Sequence, residues 1–240
     1  NDKARKAEVL QELLKETYLS DIINRNSVKN DAELEELFCL LASNIGTLTN
    51  PNKLANTFVS EKKVKIGHNT IKTYIDYFID SFLINKAVRY DIKGKKYIDT
   101  PVKYYFTDMG LRNARLNFRQ LEETHSMENI IFNELKIRGF NVDVGVITQY
   151  DRNENGNSIR KLLEIDFVCN QGSKRYYIQS AYAIPDQAKL EQEKRSLMMT
   201  GDFFKRVIIT KDTPAPHYSE DGVLIMSVYD FLLNENSLEY

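Results

Sequence analysis

The sequence contains no tryptophan, only two cysteines and three histidines, and no long apolar segment. Because no run approaches the roughly 20 apolar residues of a membrane span, and no signal peptide opens the chain, we expect a cytoplasmic protein without a membrane partner. Cys39 and Cys169 lie in separate apolar runs and are expected to be reduced core residues. His68, His125 and His217 show no paired spacing, which argues against a histidine-held metal.

A large net charge is also missing. Lysine and arginine total 33 against 34 acidic residues, which gives a formal net charge of −1. No global field therefore draws the chain to nucleic acid, and any basic surface must be local. No G-x-x-x-x-G-K-[ST] motif occurs, and the pair Gly94-Lys95 is expected at a hairpin tip. The chain itself is therefore not expected to hydrolyse ATP or to carry a cofactor.

The first half of the sequence predicts helices followed by a hairpin. Residues 1–25 have helical apolar spacing and are expected to connect to an upstream domain. Further helices are predicted at 31–45, with Asp31 as N-cap and Gly46 as the end, at 51–58 and at 70–83. Two strand-like runs, 84–92 and 97–106, flank a turn that contains glycine. Three helices and a hairpin predict a winged helix-turn-helix domain over residues 26–118.

Basic side chains in this half are candidates for contact with nucleic acid. Between Ser60 and Lys103 there are ten Lys or Arg residues against five acids. The third helix could enter a major groove, although Asp76 and Asp80 on the same helix would repel phosphate. The candidates for phosphate contact are Lys72, Lys93, Lys95, Lys96 and Lys103. Docking on a protein or within the chain is the alternative use of this domain.

After a polar boundary, residues 119–240 predict a mixed sheet flanked by helices. The predicted order is helix, three strands, helix, two strands and helix, which belongs to the α+β or α/β class. A polar segment, residues 151–158, separates the first two strands. The second and third strands form a hairpin over residues 162–182 around the turn Asn170-Gln171-Gly172-Ser173.

This hairpin resembles the site of metal-dependent nucleases of the PD-(D/E)xK type. Asp166 is an acid within an apolar strand, and Glu128 lies in the first turns of the preceding helix. The resemblance implies a restriction-endonuclease-like fold in which Asp166 and Glu128 would hold Mg²⁺. Alternation with Ile165 and Phe167 also predicts that Asp166 faces away from both.

Two positions depart from the nuclease pattern. Gln179 stands where the second strand should present an acid, and Ala181 stands where it should present a lysine. A metal would therefore be held weakly, and hydrolysis would need another proton acceptor, for which Lys189 and Tyr182 are nearby in sequence. The sequence predicts a degenerate site comprising Glu128, Asp166, Gln179, Ala181 and Tyr182.

Six segments together resemble the C-terminal region of bacterial and archaeal AAA-type ATPases, a region known as a domain of unknown function. The segments are KLA, TIKTYIDYFIDSFLI, PVKYYFTDMGLRNA, MENIIFNELKIRGF, EIDFV and YIQSAY. The resemblance covers the chain from about residue 18 onwards. It implies that an ATP-binding P-loop domain precedes this region, with residues 1–25 as its tail.

The resemblance carries over residue by residue. The matched positions are Lys103, Tyr105, Phe106, Asp108, Gly110, Glu128, Asn129, Asp166, Gln179 and Tyr182. A glutamine in place of the strand acid is habitual in many members, and the resemblance leaves activity and substrate open. Three functions follow as expectations. The chain is a non-catalytic recognition and coupling region of an ATPase that binds DNA or a protein, a weak Mg²⁺- or Mn²⁺-dependent nuclease, or a protein-interaction or dimerisation module.

Overall fold

A computed structural model describes residues 2–120, 122–152 and 157–240 of the protein. The described chain is a mixed α+β structure with an eight-stranded sheet. It divides into unit 1, Asn1–Lys86 with Pro101–Glu122, and unit 2, Ala87–Thr100 with Glu123–Tyr240. No helix in the described ranges has the length and apolar character needed to cross a membrane.

The two units differ from the predicted domains 1–25, 26–118 and 119–240. The first 25 residues group with unit 1. The outer half of the predicted wing groups with unit 2, since its strands join that unit's sheet. Most of the predicted polar segment, residues 153–156, lies outside the described residues.

Unit 1 is built mainly from helices, in the predicted order. They are α1 (Asp2–Glu12), α2 (Ser20–Arg25), α3 (Asp31–Ser43), α4 (Pro51–Thr57), α5 (His68–Asp80) and α6 (Met109–Arg115). Two π-helical segments, Leu13–Leu19 and Phe58–Lys62, follow α1 and α4 directly. Phe38 of α3 sits at the centre of the core, with its ring centroid 5.0 Å from that of Phe78 and 5.2 Å from that of Phe106.

The ends of α3 show where sequence signals were misplaced by a residue or more. Asn30, and not the predicted Asp31, is the N-cap, because Asn30 has non-helical φ and ψ and its side chain accepts from the backbone N–H of Glu33. The helix ends at Ser43, ahead of the predicted Gly46. A polar residue beside a helix start satisfies an otherwise unpaired backbone donor, and either neighbour has the chemistry for it.

A fully buried arginine, Arg112, links separate segments of unit 1 by hydrogen bonds. Arg112 on α6 donates from Nε to the carbonyl of Ala42 at 2.8 Å, from Nη1 to the carbonyl of Gln120 at 2.7 Å, and from Nη2 to Glu122 Oε2 at 3.0 Å. Burial lowers the pKa of Arg112, and the Glu122 carboxylate opposes that shift. These bonds tie the segment after α6 back to the helical core.

The eight-stranded sheet combines antiparallel and parallel pairs. Its strands are β1 (Ile84–Asp91), β2 (Lys96–Phe106), β3 (Asn141–Arg152), β4 (Ser158–Gln171), β5 (Lys174–Ala181), β6 (Lys205–Thr210), β7 (His217–Tyr218) and β8 (Leu224–Ser227), in the spatial order β2-β1-β3-β4-β5-β6-β8-β7. The meander β3-β4-β5 is antiparallel, whereas β1 and β3, β5 and β6, and β6 and β8 pair in parallel. The helices of unit 2 are α7 (Glu123–Ile137), α8 (Gln187–Met198) and α9 (Val228–Leu233).

The outer half of the β1–β2 hairpin is part of this sheet. Arg89, Tyr90 and Asp91 pair with Val144, Gly145 and Val146 of β3. The backbone edge of β1 is therefore bonded to another strand, where a wing would present it to solvent. The turn that follows remains exposed.

A β-bulge interrupts β4 at Asp166. Asp143 of β3 pairs with Val168, and two residues later Gly145 pairs with Ile165. One residue of β3, Val144, therefore lies opposite two residues of β4, Asp166 and Phe167, which defines a β-bulge. Ile165 and Val168 consequently share one face of the sheet, in a core that also contains Tyr177, Leu197 and Ile208.

The bulge corrects the predicted orientation of β4. Phe167 lies on the face opposite Ile165, and its ring centroid is 6.2 Å from that of Phe132 on α7. Strict alternation had placed Ile165 and Phe167 on one face with Asp166 on the other. Gly145 permits the irregularity, since a Cβ there would lie 2.8 Å from Val168 Cγ2 and 2.9 Å from Ile165 Cβ.

Candidate functional site

The predicted acid site lies on β4, β5 and α7 of unit 2. Glu128 on α7 and Asp166 at the bulge are both buried, with 8% of each residue exposed. Asp166 Oδ2 accepts a 2.8 Å hydrogen bond from the backbone N–H of Ser180, and Gln179 Oε1 accepts from the backbone N–H of Asp166 at 3.4 Å. The structure therefore brings Asp166 and Gln179 together and engages both with strand backbone.

Position 181, where the nuclease pattern has a lysine, is buried in apolar core. Ala181 is 4% exposed and belongs to the apolar core of unit 2. An ammonium there would have to enter a close-packed apolar region, at a high desolvation cost. Among the residues that the structure describes, no three His, Cys, Asp or Glu side chains are grouped so that they could hold a metal ion. The acid site therefore has neither the lysine of the nuclease pattern nor a group of three such ligands among the described residues.

Neither predicted substitute for the lysine is shown beside Asp166. The Tyr182 hydroxyl donates to Glu123 Oε2, and Lys189 forms an ion pair with Glu193 at 2.6 Å. A cation that sequence reasoning missed, Lys211, lies at the end of β6 with its Nζ 4.9 Å from the centroid of the Tyr182 ring.

Strand register explains the placement of Lys211. The parallel pairing of Ala181 with Thr210 sets Tyr182 and Lys211 side by side just beyond the strands. The hydrogen bond with Tyr182 raises the pKa of Lys211. A basic residue directly after a short buried strand was the available signal, but its neighbour could be identified only from the sheet order.

The five lysines proposed for phosphate contact are divided between the two units. Lys93, Lys95 and Lys96 are exposed at the hairpin turn of unit 2. Lys72 is exposed on α5 of unit 1, on a helix that also exposes Asp76 and Asp80. Lys103 is 4% exposed. Because its ammonium is not presented to solvent, Lys103 is removed from the candidate phosphate contacts.

Beside the hairpin turn, unit 2 carries a cluster of aromatic rings and one arginine that the sequence alone did not reveal. The Arg175 guanidinium lies 5.5 Å from the centroid of the Tyr90 ring and 5.3 Å from that of Phe204. The rings of Tyr90 and Tyr97 are 5.3 Å apart. We call this group, with Phe203 and the turn lysines Lys93, Lys95 and Lys96, the aromatic–basic surface. Its members come from three distant segments of the chain.

A buried acid supports one ring of this surface. Asp143 on β3 is buried and accepts a 3.3 Å hydrogen bond from the Tyr97 hydroxyl. Burial raises the pKa of Asp143, while the bond from Tyr97 lowers it in part. Burial and then the Asp143 carboxylate raise the pKa of Tyr97, whose side chain is 60% exposed. Asp143 thus holds Tyr97 by its hydroxyl and leaves much of the ring in solvent.

In the loop between α8 and β6, Asp202 accepts hydrogen bonds from both Tyr177 and Phe204. The Tyr177 hydroxyl donates to Asp202 Oδ2 at 2.6 Å, and the backbone N–H of Phe204 donates to Asp202 Oδ1 at 3.4 Å. Burial and the bond to Asp202 raise the pKa of Tyr177 to about 12. Phe204 is 40% exposed and Phe203 is fully exposed. An anchored loop therefore presents an aromatic side chain outward.

Both cysteines are free, as predicted. Cys169 is completely buried, and desolvation followed by the nearby Asp143 raises the pKa of its thiol. Cys39 is only partly buried. A buried thiol with a raised pKa is a poor nucleophile, so Cys169 functions as a core side chain.

Comparison with known sequences identifies the family. Residues 1–122 match the family described as "Domain of unknown function (DUF8612)". Because the match covers 122 of the 240 residues, the chain belongs to this family. The match ends at Glu122, which is also the last residue of unit 1 and the ion-pair partner of Arg112.

Two relatives extend the similarity into unit 2. An uncharacterized protein of Haemophilus influenzae is 33% identical over 235 residues, which are 97% of this chain and 54% of the relative. An uncharacterized protein of Methanocaldococcus jannaschii is 29% identical over 195 residues, 81% of this chain and 41% of the relative. The chain thus spans about half the length of these curated relatives, and no solved structure matches it.

Proposed function

We propose that the chain is a non-catalytic recognition and coupling region of a longer protein whose remaining part is an AAA-type ATPase. The chain covers 54% and 41% of its two relatives, which leaves room in each for another domain. ATP and Mg²⁺ would bind in that domain, and this region would recognise a partner and relay the motion to it.

Unit 1 would supply a winged-helix element. Helices α3, α4 and α5, followed by a hairpin, occur in the order that such a domain requires. Pairing of β1 with β3 joins the outer hairpin to unit 2, so we assign unit 1 to coupling in preference to contact with DNA duplex. Exposed Asp76 and Asp80 on α5 support that choice, because they would repel a phosphate backbone.

Unit 2 would be a restriction-endonuclease-like domain without nuclease activity. The succession α7, β3, β4, β5, α8 and β6, with an antiparallel meander and a parallel fourth strand, supports this fold. The observation that carries the functional proposal is the pair of positions on β5. Gln179 accepts from backbone and Ala181 is buried in apolar core, so neither can activate a water molecule.

A weak Mg²⁺- or Mn²⁺-dependent nuclease is the second candidate. Glu128 and Asp166 are buried carboxylates in this domain, and buried acids are common at metal sites. This candidate predicts metal-dependent cleavage of nucleic acid that Asp166→Asn abolishes. A homogeneous preparation that never cleaves would reject it.

A dimerisation or protein-interaction module is the third candidate. Several large side chains in unit 2 are exposed, including Leu233 and Tyr229 of α9. Light scattering across a concentration series would detect a dimer, and a monomer at every concentration would reject self-association.

The main proposal is tested with the full-length Haemophilus influenzae relative. We expect the intact protein to hydrolyse ATP, and removal of the region equivalent to this chain to change the rate or its stimulation by nucleic acid. A point variant of the lysine in the P-loop that the proposal expects outside this region serves as the control for contaminating ATPase. Absence of ATP hydrolysis by the intact relative, or an unchanged rate after the deletion, would reject the proposed coupling role.

A further inference from the structure

The aromatic–basic surface of unit 2 has features that its stability does not require. Phe203 is fully exposed, Tyr97 is 60% exposed and Phe204 is 40% exposed. Exposure of large apolar rings forgoes the free energy that their burial would provide, and clustered exposed aromatic side chains often mark a binding surface. Two of these residues are nevertheless held by acids, since the Tyr97 hydroxyl donates to Asp143 Oδ2 and the backbone N–H of Phe204 donates to Asp202 Oδ1.

The charges around these rings are mainly positive towards solvent. Lys93, Lys95 and Lys96 are exposed in the turn that immediately precedes Tyr97, and Arg175 lies between two rings. The acids beneath the rings, Asp143 and Asp202, accept hydrogen bonds from tyrosine hydroxyls. A third acid, Asp91, accepts from the backbone N–H of Gly94 at 2.9 Å.

We infer that this surface binds single-stranded nucleic acid, with bases stacking on Tyr97, Phe203 and Phe204 and the backbone phosphates contacting the turn lysines. Base stacking requires exposed ring faces, and cations beside them neutralise successive phosphates. Duplex DNA would hide its base faces, so the exposed rings favour single strands. The inference rests on the proposed recognition role and names the ligand for it.

The surface is separate from the acid site along β5. Arg175 precedes Gln179 by four residues, which corresponds to about 13 Å along an extended strand. Binding at the aromatic–basic surface therefore requires no metal and no cleavage chemistry. The two sites can be changed independently by substitution.

The test is fluorescence anisotropy with labelled 20-nucleotide single-stranded DNA, single-stranded RNA of the same sequence and the matched DNA duplex, across a salt series without divalent metal. We expect both single strands to bind more tightly than the duplex. Phe203→Ala with Phe204→Ala should weaken single-strand binding on the order of tenfold or more. Replacing Lys93, Lys95 and Lys96 with Gln should lower the slope of log affinity against log salt by about 2.

Matched controls come from unit 1. Phe82→Ala removes a phenylalanine that is 81% exposed, and Lys72→Gln removes an exposed lysine of α5. Neither should alter single-strand binding. Circular dichroism melting of each variant establishes that it is folded before binding is compared.

Four results would overturn the inference. The first is that neither single strand binds at low salt, and the second is that the Phe203/Phe204 variant binds with unchanged affinity. The third is that the duplex binds more tightly than the single strands and that Lys72→Gln abolishes this binding. The fourth is that the wild-type protein is a dimer and the Phe203/Phe204 variant is a monomer. The last result would assign the rings to a second copy of the chain. Preference between DNA and RNA identifies the source of the single strand. ATPase coupling in the full-length relative is measured separately, so failure of one proposal does not conceal the other.

Discussion

Two regions of unit 2 use their functional side chains in opposite ways. At the acid site, Asp166 accepts from the backbone of Ser180, Gln179 accepts from the backbone of Asp166, and Ala181 fills apolar core. At the aromatic–basic surface, hydroxyl groups are engaged underneath while ring faces and lysines meet solvent. The first region therefore contributes to folding, and the second is available for binding.

Burial and hydrogen bonding, more than residue type, distinguish the two regions. A buried strand aspartate resembles a catalytic acid in a sequence, yet here its oxygen supports the neighbouring strand. The rings of Tyr97 and Phe204 resemble core residues in a sequence, yet both are substantially exposed. Substitutions in the acid site should consequently change stability, and those on the surface should change affinity.

The largest effect on stability is expected from Asp166→Ala. This change leaves the Ser180 N–H without its carboxylate acceptor inside the protein, which costs about 1–3 kcal/mol of unfolding free energy. Asp166→Asn is the matched control, since it retains an acceptor oxygen and should lose less. Urea denaturation provides the measurement. Single-strand binding should stay unchanged in both variants. Wild-type stability in Asp166→Ala would contradict a structural role for this acid.

A smaller loss is expected from Tyr177→Phe, and it depends on pH. Removing the hydroxyl bond to Asp202 should cost about 0.5–1.5 kcal/mol at neutral pH. Burial and that bond raise the Tyr177 pKa from its ordinary value of 10.0 to about 12 in the folded state. The associated stabilisation is therefore complete below pH 10 and is lost as pH rises towards 12.

Tyr177→Phe should consequently lose less stability than wild type between pH 10 and pH 12, as measured by chemical denaturation at each pH. Tyr104 and Tyr176 also have pKa values raised to about 12 by burial, and they remain in both proteins. Identical alkaline slopes for wild type and variant would show that Tyr177 ionisation does not contribute.

Local sequence patterns identified the element order well because helical periodicity and strand alternation act over a few residues. Asn50 as N-cap with Pro51 as the first residue of α4, and the apolar stripe of α5, were sufficient to place those helices. Features that depend on distant pairing were missed. The outer hairpin belongs to unit 2 because Arg89 to Asp91 pair with β3, more than 50 residues later in the chain.

The orientation around Asp166 failed for the same reason. A bulge is defined by two strands, so alternation within β4 alone could not reveal that Ile165 and Val168 share a face. Gly145 was the one sequence signal for this bulge, since glycine inside a strand often marks a bulge or a close approach of another backbone. The aromatic–basic surface gave no continuous signal because its members come from β1, β2, β5 and the loop before β6.

Gln179→Glu sharpens the contrast by restoring an acid to the first region. A second carboxylate beside Asp166 should destabilise the fold by less than about 1 kcal/mol, because like charges disfavour ionisation of both. Mn²⁺ should reverse the loss and raise the melting temperature by roughly 2–4 °C for each kcal/mol recovered. Wild type should show no Mn²⁺ response in the same scan. A stabilised wild type would instead favour the nuclease candidate.

The smallest effect is expected from Asp99→Asn, and it has the opposite sign. Asp99 is exposed on β2, two residues after Tyr97, so both side chains lie on the same side of the strand. Its carboxylate would repel phosphates near the rings, and removing an exposed charge interaction of about 0.2–1 kcal/mol corresponds to roughly 1.4- to 5-fold tighter binding. Asp76→Asn on α5 is the matched control and should leave single-strand affinity unchanged. Because the gain arises from charge, it should shrink as salt increases, whereas the loss in the Phe203/Phe204 variant should persist. Equal gains from both asparagine variants would instead indicate that affinity responds to the net charge of the protein. Binding would then not be assigned to the aromatic–basic surface.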